Sequence, residues 1–161
     1  MQVGEYRDSV RQQVIDLITG IQQQELGVSI TADEQPDLQN IPSIYQKENG
    51  NFWIAEEEGT VIGTIALIDI GNSEVVLRKM FVHRNYRGKD KGVAAELMNI
   101  LLAWCANRAI KNIYLGTIDT MKAAHRFYEK NGFHQLNKMD LPAGFPLMAV
   151  DNIFYQLPVT P

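Results

Sequence analysis

The stretch Met80–Met98, MFVHRNYRGKDKGVAAELM, decides how this chain is read. It opens in an apolar, β-branched run and ends in an alanine- and leucine-rich one, so a strand hands over to a helix between Val82 and Ala94. A helix start presents unpaired backbone N–H groups and a partial positive charge, which together attract an anion. Gly88 and Gly92 omit side chains that would hold a phosphate away from the backbone, and Arg87, Lys89 and Lys91 supply charge. The spacing is neither G-x-x-x-x-G-K-[ST] nor G-x-G-x-x-G. The residues alone therefore indicate a phosphate or pyrophosphate without saying whose, and they leave open a merely basic, solvated helix start.

Working outward, Glu74–Val82 reads as the strand that feeds this junction, and Gly92–Arg108 as the helix that leaves it, with Val93, Leu97, Ile100, Leu101 and Trp104 at helical spacing. Upstream, Phe52–Ala55 and Val61–Ile70 form a hairpin across Glu58-Gly59, and Gly71-Asn72-Ser73 turns the chain into the third strand. Tyr6–Leu26 carries an apolar stripe of Val10, Val14, Leu17, Ile18 and Ile21, a helix that Gly27 ends. A shorter helix is expected around Asp37–Gln46, weakened by Pro42. Downstream come a short strand at Asn112–Thr117, a helix at Thr120–Lys130 stopped by Asn131-Gly132, and closing strands at Phe133–Asn137 and Asn152–Gln156 around the Pro142–Pro146 loop. With no repeat or low-complexity linker, 1–161 reads as a single α+β domain, a mixed central sheet flanked by helices.

The totals agree with a self-sufficient globular chain: 161 residues, 45% hydrophobic, 21% charged and six prolines. One cysteine, Cys105, excludes an internal disulfide, and no Cys/His cluster has zinc spacing. Met1–Arg11 shows no secretory pattern, and no apolar run approaches the roughly 20 residues of a membrane helix, so the expectation is a soluble, cytoplasmic protein with no membrane partner. A net charge of -4 argues against a surface devoted to nucleic acid. The basic residues crowd instead into Arg78–Lys91, which suggests a local anionic ligand.

A second segment narrows that ligand. Ala123–Phe133, AAHRFYEKNGF, stands in the order and at about the separation expected after the first, and together the two make the chain resemble the GNAT superfamily of N-acetyltransferases over most of Phe52–Phe133. The resemblance implies acetyl-CoA as cosubstrate. Its pyrophosphate would lie across Arg87, Gly88, Lys89, Asp90, Lys91, Gly92, Val93 and Ala94, while the pantetheine arm would pair with the backbone of Met80, Phe81 and Val82 like an added strand. The parallel strands Glu74–Val82 and Asn112–Thr117 would splay apart to admit it. The common loop, Arg/Gln-x-x-Gly-x-Gly/Ala, aligns with Lys89 at its first position, so that Arg87-Gly88 precede it as an insertion resembling the family's longer-loop variants.

The same resemblance puts Tyr128 beside the CoA sulfur as general acid, against its plainer reading as a core tyrosine. A backbone N–H at Met80 or Phe81 would polarise the thioester carbonyl. No base is identifiable: the familiar glutamate and asparagine positions hold Val76 and Met121, and Asp69, Glu74, Asp119 and His125 read better as surface or capping residues. Cys105, mid-helix among apolar neighbours, is no nucleophile. Lys130 reads first as a solvated lysine and second as a candidate for the nucleotide phosphate, and Trp53 and Trp104 belong to the core. The expected function is transfer of acetyl to a primary amine by direct attack, with proton loss helped by solvent. The acceptor would be a small molecule or a peptide or protein amine, its identity set by Tyr6–Tyr45 and the Pro142–Pro146 loop. The alternative is a catalytically silent CoA-binding sensor or interaction module, and a nucleic-acid binder ranks below both. Such proteins often pair through terminal strands, so a homodimer is among the implied arrangements.

Overall fold

The computed structural model describes residues 1–159, so the end of the expected 1–161 unit lies outside the described residues. Strands β1 (Gln2–Glu5), β2 (Asn51–Glu57), β3 (Thr60–Gly71), β4 (Glu74–Val82), β5 (Asn112–Thr117), β6 (His134–Leu136) and β7 (Ile153–Pro158) form one sheet in the order β1-β2-β3-β4-β5-β7-β6. β4 and β5 are parallel and the other neighbours antiparallel. Helices α1 (Arg11–Gln24), α2 (Ile41–Ile44), α3 (Val93–Asn107) and α4 (Lys122–Lys130) complete the chain, and none among the described residues is long and apolar enough to cross a membrane.

Both faces of β2 and β3 are covered, which is why their sequences are nearly continuous apolar runs instead of alternating ones. In β2, Phe52 and Ile54 meet α1 through Val14, Ile15 and Ile18, whereas Trp53 and Ala55 face α3 through Leu97, Met98, Leu101 and Cys105. Trp53 packs edge-on against Trp104 at 5.7 Å, so the core reading of both tryptophans holds.

Most expected elements are present, β4 and β5 at the expected residues. The N-terminal helix starts later than the expected Tyr6 because Gln2–Glu5 instead extends the sheet, and the Tyr6 N–H still donates to Phe52 O at 2.8 Å. Asp37–Gln46 is not one helix. Pro36 and Pro42 each sit in the first turn of a short element, a 3-10 turn at Pro36–Gln39 and the single-turn α2. A proline starts helices more readily than it continues them.

Two irregularities in β4 shape everything that follows. First, its parallel ladder with β5 consists of Glu74–Asn112, Val75–Ile113 and Val76–Tyr114 only, so Leu77–Val82 has no β5 partner. The expected splay is present. Second, its register with β3 jumps from Ala66–Arg78 to Thr64–Phe81, a bulge at Lys79-Met80 that the sequence did not announce. Lys79 lies in the left-handed region at φ 55°, uncommon for a residue with a side chain. It is held there by a hydrogen bond from the Thr64 hydroxyl to Lys79 O at 2.7 Å, and by its own side chain, which is buried against Asp37 Oδ2 at 3.4 Å and donates to Gln35 Oε1 at 2.8 Å.

Asp37 also accepts from the Tyr45 hydroxyl at 2.6 Å. Replacing it strands a buried ammonium and a buried phenol together. Asp37→Ala should therefore destabilise the protein by about 3 kcal/mol in urea unfolding. Burial already holds the Lys79 pKa below its usual value, against the opposing pull of Asp37. The folded state thus binds this proton less tightly than the unfolded one, and the penalty in Asp37→Ala should shrink as pH rises from 7 towards 10.

Candidate active site

The splay opens a cleft that passes through the sheet, with a cavity on either side. The larger, about 600 Å³, is lined by Met80, Phe81 and Val82 of β4, by Arg87, Gly88, Lys89, Gly92, Ala94 and Ala95 at the strand-to-helix junction, and by α4 from Ala123 to Asn131. Ile21, Glu25 and Leu26 close it from α1. The smaller, about 370 Å³, lies between the loop after α1, the middle of β4, the end of β5 and the Phe145–Asp151 segment. Leu26, Met80, Phe81, Met121 and Tyr128 line both. The cavities meet there.

The junction is built as an anion cradle. Gly92 precedes α3 in the left-handed region at φ 72° and Gly88 sits at φ 107°, where a side chain would be strained; at 88 it would also meet Asp90 Oδ1 at 2.9 Å. The helix has no side-chain cap. Its first internal bond here is Glu96 N–H to Gly92 O, so the N–H groups of Val93, Ala94 and Ala95 have no intrahelical acceptor. Lys89 faces Lys130 closely enough that its ammonium lowers the Lys130 pKa. Two cations converging at the mouth of a cavity suit a phosphate.

The expected cofactor residues do not all share this surface. Met80, Phe81, Val82, Arg87, Gly88, Lys89, Gly92 and Ala94 line the larger cavity, whereas Asp90 and Lys91 are exposed outside it and the Val93 side chain is buried in the core against β3. Arg87 is also committed elsewhere: its Nε donates to Val82 O at 2.8 Å and its guanidinium pairs with Glu25 at 2.7 Å, tying the loop to the end of α1. The basic segment Arg78–Lys91 is thus divided, with Arg78 and Lys79 on the smaller cavity and Arg87 and Lys89 on the larger.

Tyr128 is buried among Phe127, Phe133 and Tyr155, its ring 5.8 to 6.1 Å from theirs. Its hydroxyl has no hydrogen-bond partner among the described residues, yet it is not sealed off, because no buried side-chain oxygen there lacks a partner. Burial, with a smaller push from the Asp151 charge, drives its pKa well above the usual phenol value. It stays protonated.

Asp69, Glu74, Asp119 and His125 line neither cavity. Asp69 accepts from the Asn49 and Gly71 N–H groups, Glu74 accepts from Asn112 and Tyr114 at the closed end of the splay, and His125 bonds Ile118 O. Cys105 is fully buried, and burial lifts its thiol to about 12. The carboxylate that does line the smaller cavity is Asp151, which sequence reasoning missed. It is half-buried, and burial raises its pKa while Arg78 pulls it down. Its only sequence signal is an acidic residue directly before the closing strand.

The site is thus a mixed sheet opened between two parallel strands, with a glycine-framed helix start at one cavity and a protonated tyrosine where the two cavities meet. Residues 17–133 match the model of the acetyltransferase (GNAT) family, and the chain belongs to that family, whose cosubstrate is acetyl-CoA. Among solved structures, an acetyltransferase of the GNAT family from Staphylococcus aureus Mu50 is 38% identical, with a TM-score of 0.93 over 99% of both chains. The N-acetylaspartate synthetase of Xenopus tropicalis is 35% identical over 75% of this chain and 45% of its own length. This chain therefore spans about half the length of the curated relatives it matches. An N-acetyltransferase of Thermoplasma acidophilum, 14% identical, shares the fold with a TM-score of 0.73 over 98% of both chains, and that structure contains coenzyme A.

Proposed function

We propose that residues 1–161 act as one catalytic unit that transfers acetyl from acetyl-CoA to a primary amine by direct attack. The observation that carries this is the meeting of the two cavities at Tyr128, Met80 and Phe81: a donor held in one and an acceptor in the other make contact only there. On this reading the larger cavity holds the cosubstrate. Gly88, Gly92 and the free N–H groups of Val93 and Ala94 receive the pyrophosphate, and Lys89 with Lys130 adds charge. Asp90, Lys91 and Arg87 contribute through the conformation of the loop, the last through its bonds to Val82 O and Glu25. The unpaired edge of β4 at Met80–Val82 offers backbone groups to the amide-bearing arm.

Acetyl-CoA supplies an activated acyl group on a thiol. The chain supplies the rest. A Met80 or Phe81 N–H polarises the carbonyl, and because backbone donors are fixed before the reaction begins they stabilise developing charge without reorganisation. Tyr128 gives the departing sulfur a proton, which its elevated pKa keeps available at neutral pH. A silent CoA-binding module is not favoured, since it has no use for an unpartnered tyrosine at the junction.

Acetyl transfer from acetyl-CoA is the direct test, followed across amino acids, polyamines and peptides. Tyr128→Phe should lower kcat about a hundredfold with little change in the KM for acetyl-CoA. Unchanged turnover in that variant would remove the acid role. Lys89→Ala with Lys130→Ala should do the reverse, raising the KM for acetyl-CoA about tenfold at an unchanged kcat and flattening its salt dependence.

A further inference from the structure

Besides Tyr128, the smaller cavity has polar side chains from Gln22, Gln35, Arg78, Lys79, Thr117 and Asp151. Three are spent on protein partners. Gln22 and Gln35 exchange amide hydrogen bonds at 3.1 and 2.8 Å, and Lys79 is bound to Gln35 and Asp37. Thr117 is neutral, with its hydroxyl 3.8 Å from Met121 Sδ. Arg78 and Asp151 are the charged side chains that remain. The Arg78 guanidinium touches Met148 Sδ at 3.8 Å and lies 5.9 Å from the centre of the Tyr45 ring, and the Asp151 carboxylate accepts no hydrogen bond among the described residues. They are opposite charges on one cavity, close enough for Arg78 to lower the Asp151 pKa, yet no ion pair joins them.

We infer that the acceptor is a small zwitterion, a free amino acid or similar aminocarboxylate, with its carboxylate on Arg78 and its ammonium on Asp151. The inference rests on the acetyl-transfer reading above and names its substrate class. A fork of guanidinium N–H donors is suited to a carboxylate, and a polyamine would instead bring its second ammonium towards Arg78 and Lys79. The amine end is fixed by where Asp151 sits. Its N–H donates to Met148 O at 3.1 Å, and the N–H of Asn152 donates to Thr117 O at 2.9 Å, which anchors the residue at the open end of β5. Gly116 lets the carboxylate lie on the strand, since a Cβ there would stand 2.6 Å from Asp151 Oδ2. From that position the Asp151 charge reaches Tyr128.

The protons then balance. The bound ammonium gives one to Asp151, which releases it to water. The neutral nitrogen bonds the acetyl carbonyl carbon as that carbon's bond to sulfur breaks, Tyr128 protonates the sulfur, and the second proton from nitrogen restores Tyr128. Around Asp151 the facing groups are Arg78 from β4 and Tyr128 from α4, while β5 and β7 present Gly116 and Phe154. Burial is the larger influence on the carboxyl, so activity should fall on acidification from a pH above the ordinary carboxylate range.

The test compares free amino acids with their α-carboxamides, by turnover with acetyl-CoA and by calorimetric binding with CoA present. Free amino acids should be preferred at least tenfold in kcat/KM. Arg78→Gln should raise their KM at least tenfold and abolish the preference, and Arg78→Lys should recover part of it. Asp151→Asn should lower kcat about a hundredfold and remove the acid limb of the pH profile, with a melting temperature equal to or above that of the parent. Faster turnover of carboxamides or polyamines than of free amino acids would overturn the zwitterion while leaving acetyl transfer intact. Amino-acid binding that Arg78→Gln does not weaken would overturn it even without turnover. Loss of CoA binding itself would instead count against the proposed function.

Discussion

The parallel pairing of β4 with β5 ends at Val76–Tyr114, and the rest of the molecule is organised around keeping those strands apart. A ladder that stops while both strands continue leaves backbone groups without their natural partner, and such groups are costly if they are also shut away from water. The structure meets this from three directions. β5 pairs along its other side with β7 as far as Thr117–Ile153, so its open end remains supported. β4 is turned at the Lys79-Met80 bulge, where Thr64 from β3 and the buried Lys79–Asp37 pair hold a backbone conformation that a lysine rarely adopts. α3 and α4 pack below the opening and bring a helix start and a tyrosine to its two ends.

Much of this frame was written in local chemistry. β4 and β5 lie at the expected Glu74–Val82 and Asn112–Thr117, the first entered from the turn at Gly71-Asn72-Ser73, and α3 follows from its apolar spacing. What local chemistry did not contain was any feature made by distant residues. β1 is a strand because β2 has a free edge for Gln2–Glu5, not because QVGE resembles one. The bulge at Lys79 depends on a hydroxyl fifteen residues away on β3 and a carboxylate in a separate turn. Asp151 looked like an ordinary residue before a strand. Its place on the smaller cavity comes from the fold returning that segment over Gly116.

Charge gives the clearest case of a pattern that was real but wrongly grouped. Arg78–Lys91 reads as one basic patch because its cations are adjacent in sequence. In a strand, successive side chains point to opposite faces, and a bulge alters that alternation. The splay then divides the segment between two cavities. Arg78 and Lys79 go to one side of Tyr128, while Arg87 and Lys89 go to the other, and Arg84 and Lys91 stay at the surface. One block of charge is thus shared between two cavities, and on the proposed reading one part faces the donor's phosphates and the other the acceptor.

The opposed assignments of Tyr128 and Asp151 share one physical cause. Both lie at the opening, where burial disfavours any charged oxygen and raises both pKa values. For a phenol, whose pKa is already high, that change guarantees the protonated form and makes it a donor. For a carboxylate, whose pKa starts low, the same change makes a stronger base while Arg78 keeps the charged form accessible. Their proximity reinforces the difference, since an ionised Asp151 makes loss of the Tyr128 proton still harder. On the proposed reading an acid and a base come from a single desolvated junction, and neither role needs a carboxylate at Val76 on β4.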